Sequence, residues 1–371
     1  MKQRGKWRNL FPGGNTGYGF FSFYDNVIEP DAKRIFVIKG GPGVGKSSLM
    51  RQIAQTMLDQ GFDVEYHYCS SDNNSLDAIV IPAVRIAMID GTAPHIVDPR
   101  NPAAVDEIIN LGEYWDETRI RPHRKALLNL NKQIKLYFEH TYKCLAQVRL
   151  FNEELESYYH YDDCLDYHGL NMLTHDLLTA LLGGHRQSRL SRARHLFASA
   201  ITPDGPVNYF PTIFDHLAKR YVLTGQPGTG KSTIMKKIYE TAISLGYDLE
   251  AFHCALEPAR LEHLVIPGLN TAIITSNQCH PYVPKDGDVV INTEDFINSN
   301  SLVSFSTDQE VAKKYFLESL SRAISFLSRA KQTHDEIETY YIAGMRFEEV
   351  DAKREEILLR ILAYAAEPLS E

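Results

Sequence analysis

The chain of 371 residues contains the same sequence unit twice. Residues 40–99 align with residues 225–284 at a constant offset of 185, without a gap, and 21 of these 60 positions are identical. The likeness extends upstream at an offset of 186 and returns downstream at an offset of 182, from residues 154–159. Because this period is far longer than that of a solenoid repeat, it predicts two domains, each large enough to bury its own core. We place them at residues 1–185 and 186–371.

Composition and charge narrow the class of protein. The chain is 44 % hydrophobic and 23 % charged, as globular proteins are, and its net charge of −8 argues against a nucleic-acid partner. The longest nearly apolar stretch, residues 78–89, is too short to span a bilayer, and the basic amino-terminal segment lacks the apolar run of a secretory signal. Five scattered cysteines with no CxxC pair indicate reduced thiols. We therefore expect a cytoplasmic protein with no membrane segment.

In each half, short apolar runs predict buried strands that alternate with helices. The first strands, at residues 35–38 and 221–223, each enter a glycine-rich loop that leads into a helix with one apolar face. Further strands are predicted at residues 63–69, 85–90, 108–110, 248–254, 270–275 and 290–292. Helical segments follow at roughly residues 122–182 and 308–366. This pattern predicts two α/β domains, each a parallel sheet flanked by helices and extended by a helical hairpin or bundle.

The glycine-rich loops both fit the motif GxxxxGK[ST]. The first glycine loop is Gly40-Gly41-Pro42-Gly43-Val44-Gly45-Lys46-Ser47, followed by Ser48, and the second is Gly225-Gln226-Pro227-Gly228-Thr229-Gly230-Lys231-Ser232, followed by Thr233. Glycines let successive backbone N–H groups point at phosphate oxygens, and the start of the next helix adds positive charge. We expect Lys46 and Lys231 to stabilise phosphate charge, and the hydroxyls of Ser47 and Ser232 to bind Mg²⁺. The motif therefore predicts two sites for a nucleoside triphosphate.

With these two loops, the sequence resembles the P-loop NTPase superfamily. As a duplicated chain, it looks like an uncharacterised bacterial family of tandem P-loop ATPase-like proteins. The resemblance implies ATP and Mg²⁺ as ligands, and it does not imply a cellular role. No guanine-specifying NKxD or TKxD motif and no LSGGQ-like signature is evident, so we expect ATP rather than GTP and disfavour an ABC-type ATPase.

A carboxylate that holds Mg²⁺ is expected where a buried strand ends. In the first half this is Asp90, after the apolar run that begins at Ile86, whereas the second half has Thr275 at the matched position. We therefore expect the first site to hydrolyse nucleotide and the second mainly to bind it. Other titratable residues recur at matched positions near strand ends: Asp72/Glu257, Glu113/Asp295, His95/His280 and Cys69/Cys254. Each pair fits a ligand contact, and each also fits an ordinary loop or core position.

The leading interpretation is an ATP-binding protein, a Mg²⁺-dependent ATPase whose first site is catalytic and whose second site is regulatory. One alternative is a small-molecule or nucleotide kinase, which would require a small phosphoryl acceptor. Another is a nucleotide-gated module that binds a protein partner with little turnover. Basic clusters at residues 119–125 and 186–194 are candidates for an arginine that reaches the transferred phosphoryl group, and they also fit a solvated helix face.

Overall fold

The computed structural model describes residues 3–93, 96–161, 164–184 and 186–367. In the first half, its strands and helices are β1 (Trp7–Leu10), β2 (Gly13–Thr16), β3 (Gly19–Ser22), β4 (Arg34–Lys39), α1 (Lys46–Asp59), β5 (Val64–Tyr68), β6 (Leu76–Ile81), β7 (Ile86–Asp90), β8 (Asp106–Asn110), α2 (Glu117–Ile120), α3 (Arg124–Ser157) and α4 (Tyr167–Leu182). The second half repeats this order with one added short helix, α5: β9 (Ala193–Leu196), β10 (Ser199–Thr202), β11 (Gly205–Asn208), α5 (Phe210–Phe214), β12 (Lys219–Thr224), α6 (Lys231–Ser244), β13 (Leu249–His253), β14 (Leu261–Ile266), β15 (Thr271–Thr275), β16 (Val289–Asn292), α7 (Ser299–Leu302), α8 (Ser306–Ile342) and α9 (Phe347–Ala366). The structure is therefore mixed α/β in both halves.

The elements group into two compact units that differ from the two sequence halves. Unit 1 comprises Met1–Gly14, Ser22–His140 and Ser325–Glu371, and unit 2 comprises Asn15–Phe21 and Thr141–Ile324. The expectation that each helical extension stays with its own half is therefore corrected. The distal part of each extension belongs to the unit that contains the other half's glycine loop, so the boundary expected at residues 185 and 186 marks the sequence repeat and not the compact units.

Unit 1 is built on a six-stranded, mostly parallel sheet in the order β1-β5-β6-β7-β4-β8. Strand β4 pairs in parallel with β7 and β8, and β1 pairs in parallel with β5, whereas β6 is antiparallel to both its neighbours. The parallel sheet that the sequence predicted is thus mostly parallel, with β6 as its antiparallel strand. Only a turn at Pro82–Val84 and Arg85, whose φ is 57°, separates β6 from β7. A connection this short allows only an antiparallel pair, because parallel neighbours need a crossover of a dozen or more residues.

Unit 2 repeats this sheet in the order β16-β12-β15-β14-β13-β9. Here β12 is parallel to β15 and β16, β13 is parallel to β9, and β14 is the antiparallel member. The turn before β15 again carries a left-handed residue, Asn270, whose φ is 48°. In both units, the strand that enters the glycine loop therefore lies inside the sheet, with parallel neighbours on both sides.

One helix after each glycine loop buries its apolar face against the sheet, as its sequence pattern predicted. The buried residues of α1 include Leu49, Met50, Ile53 and Met57, and those of α6 include Ile234, Met235 and Ile238. The same cores receive Val350, Ile357 and Ile361 from α9 in unit 1, and Leu170, Leu177 and Leu181 from α4 in unit 2. Full burial of a Leu or Ile side chain contributes about 1.5–3 kcal/mol, so each distal helix is an integral part of its core.

Among the residues that the structure describes, no helix has both the length and the apolar character needed to cross a bilayer.

Candidate functional site

The first glycine loop connects β4 to α1 in unit 1. Gly43 and Gly45 have φ values of 70° and 89°, a left-handed conformation that residues with a Cβ rarely adopt. Gly45 is also the N-cap residue of α1 and makes no side-chain cap. The first N–H groups of a helix have no partner within the helix, and the helix dipole makes this end positive. The loop therefore has the backbone geometry of an anion site.

The second glycine loop has the same geometry in unit 2, between β12 and α6. Gly228 and Gly230 have φ values of 87° and 97°, and Gly230 is the N-cap residue of α6. Each helix is 14 residues long and begins at the motif lysine. The strand–loop–helix arrangement that the sequence predicted thus occurs in both units.

The two motif lysines fold back onto their own loops. Nζ of Lys46 donates hydrogen bonds of 2.8 Å to the carbonyl oxygens of Gly40 and Gly41. Nζ of Lys231 donates bonds of 2.6 Å to the carbonyl oxygens of Gly225 and Gln226. Lys231 is 8 % exposed, and its burial lowers its pKa to about 8. Each loop therefore contains a cation held mainly by neutral dipoles, for which an anionic ligand can compete.

Asp90 ends a strand, as the sequence predicted, and it lies close to Lys46 in unit 1. It is the last residue of β7, the strand beside β4, and its Oδ2 lies 3.5 Å from Nζ of Lys46. Its Oδ1 accepts hydrogen bonds from the backbone N–H of Thr92, at 2.9 Å, and from the Thr92 hydroxyl. The hydroxyl of Ser47 accepts a bond of 3.0 Å from the N–H of Leu76. In unit 2 the strand beside β12 ends in Thr275, which has no carboxylate.

A second pair of matched carboxylates, Asp77 on β6 and Glu262 on β14, was missed because those strands were not predicted. Asp77 accepts a 2.5 Å hydrogen bond from the hydroxyl of Tyr24. The residue matched to Tyr24 at the offset of 186 is Phe210, which has no hydroxyl. Glu262 instead accepts a bond from Asn277 at Oε1, while its Oε2 makes no hydrogen bond. Glu262 is 6 % exposed, and burial raises its pKa to about 7.

Glu262 lines a cavity of about 650 Å³ in unit 2 that also contains the second glycine loop. This volume lies in the range of pockets that hold small-molecule ligands. The charged residues of the lining are four cations, Lys231, Lys237, Arg260 and Lys313, and four carboxylates, Glu156, Glu257, Glu262 and Glu294. The cavity therefore offers positive charge to an anion and carboxylate oxygens to a cation in the same space.

Arg260 is a second residue that sequence comparison of the halves missed, because its matched position holds Ser75. Its two Nη atoms bind the two carboxylate oxygens of Glu156, and its Nε lies 2.8 Å from Oε2 of Glu257. Glu156 comes from the end of α3. This cluster exists only because the distal part of the first helical extension belongs to unit 2.

A glutamate of a distal helix also contacts the first glycine loop. Oε1 of Glu338 on α8 accepts a hydrogen bond of 3.3 Å from the N–H of Gly43. Glu338 is the residue matched to Glu156 at the offset of 182. With His334 and Asp335 it forms a partly exposed group whose ligand atoms lie within 4.8 Å of one another. Each unit therefore brings the matched glutamate to its loop.

Of the recurring histidines and cysteines, His280 and Cys254 line the unit 2 cavity. His280 is buried, its Nε2 lies 3.3 Å from the carbonyl oxygen of Ala200, and burial lowers its pKa to about 4. Its counterpart His95 lies outside the described residues. All five cysteines are free, and burial raises the pKa of the Cys69 and Cys254 thiols well above their usual value. Such thiols are poor nucleophiles.

Two members of the predicted basic clusters are exposed and paired with carboxylates. Arg121 contacts Glu117 at 2.7 Å, and Arg189 contacts Asp248 at 2.7 Å. Exposed pairs of this kind are typical of solvated protein faces.

The fold and the two loops define a two-unit mixed α/β protein with one candidate anion site in each unit. A family model described as Nephrocystin 3, N-terminal, matches residues 21–85, the segment from the end of β3 to the turn after β6 that includes the first glycine loop. No curated protein and no solved structure matches the chain. The family match thus concerns a small part of unit 1.

Proposed function

We propose that the chain is a P-loop NTPase that binds ATP with Mg²⁺ at both glycine loops and hydrolyses it mainly at the first. The observation that carries this proposal is the repeated loop geometry. In each unit, left-handed glycines turn the backbone at a helix N-terminus around the ammonium group of Lys46 or Lys231. Convergent N–H dipoles, a helix terminus and a lysine are the combination that binds the phosphates of a nucleotide.

The first site is proposed as catalytic because Asp90 lies beside Lys46. Ser47 and Asp90 are the residues that would hold Mg²⁺, which when bound supplies positive charge to the β- and γ-phosphate oxygens. Lys46 would exchange the carbonyls of Gly40 and Gly41 for phosphate oxygens. The N–H of Gly43 would likewise exchange Glu338 for a phosphate oxygen. These exchanges align the polyphosphate and stabilise its charge.

The second site is proposed as regulatory because Thr275 stands where a metal-binding carboxylate would be needed. The polar lining of its cavity nevertheless suits a nucleotide, since Lys231 and Arg260 face the same space as the second glycine loop. Binding there would stabilise unit 2 in proportion to ligand affinity and concentration.

A small-molecule kinase is the second candidate, and Glu262 is the observation that favours it. Glu262 lines the cavity of the second glycine loop, and its Oε2 makes no hydrogen bond. A buried carboxylate in such a place can accept the proton of an acceptor hydroxyl during phosphoryl transfer.

The deciding experiment measures Mg²⁺-ATP hydrolysis and equilibrium binding of a fluorescent ATP analogue to the full chain. We expect Lys46→Ala to lower turnover by about 100-fold or more, because it removes a charge that stabilises the transition state. Lys231→Ala should remove one binding site and leave turnover measurable. Lys236→Ala is the matched control, since this α6 lysine is exposed and outside the cavity lining.

Three outcomes would contradict parts of the proposal. Loss of turnover in Lys231→Ala with full turnover in Lys46→Ala would reverse the assigned roles. Binding without hydrolysis by the wild type would remove the ATPase assignment and favour the kinase or a nucleotide-gated binding module. If the wild type and both variants all fail to bind the ATP analogue, the proposed nucleotide sites are refuted.

A further inference from the structure

Arg260 is held at the wall of the unit 2 cavity by two carboxylates. It precedes β14, and its guanidinium group makes a two-pronged contact with Glu156, in which Nη2 and Oε2 are 2.6 Å apart. Its Nε contacts Glu257 at 2.8 Å. All three residues line the same cavity as Lys231. The side chain of Arg260 is 29 % exposed, so a ligand in the cavity has access to it.

Glu156 joins this arginine to the second glycine loop. A Cβ placed on Gly228 would lie 2.8 Å from the carbonyl oxygen of Glu156, so the last turn of α3 rests directly on the loop. Oε1 of Glu156 also accepts a 2.7 Å hydrogen bond from Asn152 on the same helix. A phosphate group seated in the loop would therefore be close to the end of α3 that holds Arg260.

The chemistry of the pair permits exchange. A guanidinium fork matches the oxygens of a phosphate as well as those of a carboxylate. A nucleotide polyphosphate carries more negative charge than one carboxylate, and in a partly desolvated cavity this difference is weakly screened. Glu156 keeps its bond to Asn152 when the arginine leaves, which limits the cost of exchange.

We propose that Arg260 is a polyphosphate-binding residue of the unit 2 cavity, and that Glu156 holds it until the ligand replaces that carboxylate. Ligand binding then releases the last turn of α3 from Arg260. The inference rests on the proposed nucleotide site at the second glycine loop. It is specific to the second unit, because the first half has Ser75 at the matched position.

The test measures affinity of a fluorescent ATP analogue with Mg²⁺ in full-length chains that all carry Lys46→Ala, which restricts binding to the second loop. We expect Arg260→Ala to weaken binding about 10-fold or more, since it removes a charged contact to phosphate. We expect Glu156→Gln to tighten binding about 3- to 10-fold, because Arg260 is no longer held by a full charge. Glu240→Gln, an exposed glutamate of α6, is the charge-matched control and should leave affinity unchanged.

A double-mutant cycle separates arginine release from a general loss of negative charge. In the Arg260→Ala background, Glu156→Gln should give no gain in affinity, because no arginine remains to be released. A gain that persists there, or an unchanged affinity in Arg260→Ala, would overturn the proposal. If Arg260→Ala fails to fold, Arg260→Lys decides the question. It keeps the charge but loses the fork, so it should bind several-fold more weakly, and unchanged affinity would refute the role of Arg260.

Hydrogen exchange of the end of α3 gives an independent readout. The amides of residues 152–157 should exchange faster with the nucleotide bound in the wild type, and their rates should not respond to nucleotide in Arg260→Ala. Slower exchange in the wild type would contradict the release. If the Lys46→Ala chain does not bind the analogue, the proposed function of the second site fails together with this inference. Binding by the Lys46→Ala chain without the effects of Glu156 and Arg260 refutes the inference alone.

Discussion

Replacing Glu262 by glutamine should make the stability of unit 2 less dependent on pH. The carboxyl group of Glu262 is buried, and this burial raises its pKa from 4.5 to about 7 against the opposing effects of Cys254, Asn277, Lys231 and Arg260. Between these two pH values, the folded state keeps a proton that the unfolded state has released. Folding therefore becomes less favourable as pH rises from about 4.5 to 7, and this loss is complete above pH 7.

The size of the effect follows from the pKa difference. Each unit of pKa shift corresponds to about 1.4 kcal/mol, so the folded state is penalised by about 3 kcal/mol at pH 7.5 and by less than about 1 kcal/mol at pH 5. Glu262→Gln removes this penalty at both values. Any effect of the new amide that does not depend on pH cancels when the two pH values are compared. The stability gained by Glu262→Gln should therefore be about 2 kcal/mol larger at pH 7.5 than at pH 5.

Differential scanning calorimetry of the full chain at the two pH values, without nucleotide, measures this change. For a unit of this size, about 2 kcal/mol corresponds to a melting-temperature shift of roughly 4–8 °C. Glu318→Gln, an exposed glutamate of α8 in the same unit, is the matched control and should give no such trend. If the effect of Glu262→Gln on melting is the same at pH 5 and pH 7.5, the reasoning about its burial is refuted.

Two further substitutions test contacts that the two units do not share in the same form. Tyr24→Phe should lower the stability of unit 1 by about 1–3 kcal/mol, because Asp77 stays buried and loses its hydroxyl donor; an unchanged melting temperature would contradict this. Gly228→Ala should destabilise unit 2 by more than about 1 kcal/mol and weaken nucleotide binding, because a methyl group would meet Glu156 at 2.8 Å and a left-handed φ of 87° disfavours alanine. Gly287→Ala is the control, because Gly287 has a φ of 86° with open space around it, so alanine there carries only the backbone cost. An equal loss of stability in the two variants would show that the contact with Glu156 contributes nothing.

Local sequence patterns predicted the long helices, half of the strands and the place of each glycine loop. The motif lysines begin α1 and α6, and Asp90 ends a strand, because these relations depend on neighbours along the chain. The same patterns failed at β1–β3, β6, β9–β11 and β14. In the first half, the apolar run over β6 and β7 has no alternation that separates two short strands, and the turn at Arg85 has neither of the usual glycine or asparagine signals. The turn before β15 does contain Gly268 and Asn270, and β14 was missed despite them.

The candidate site was predictable only where alignment of the two halves exposes it. Comparison of the halves found the loops as shared residues, and it found the exchange of Asp90 for Thr275 as a difference at an aligned position. It missed Glu262, because the difference between this residue and Asp77 lies in a partner far away in the chain. Asp77 accepts a hydrogen bond from the hydroxyl of Tyr24, and Glu262 has no such tyrosine partner. It missed Arg260 because nothing at the matched Ser75 marks that position as part of a site.

The sequence by itself determined the duplication, the strand and helix on either side of each glycine loop, and the two loops at helix N-termini. The tertiary structure decided which sheet receives each distal helix and, with it, which side chains surround each loop. An amphipathic pattern specifies that a helix has a face to bury, but it does not specify the partner. Arg260 and Glu156 are 104 residues apart in the chain. They meet because unit 2 assembles the distal helices of the first half around the glycine loop of the second.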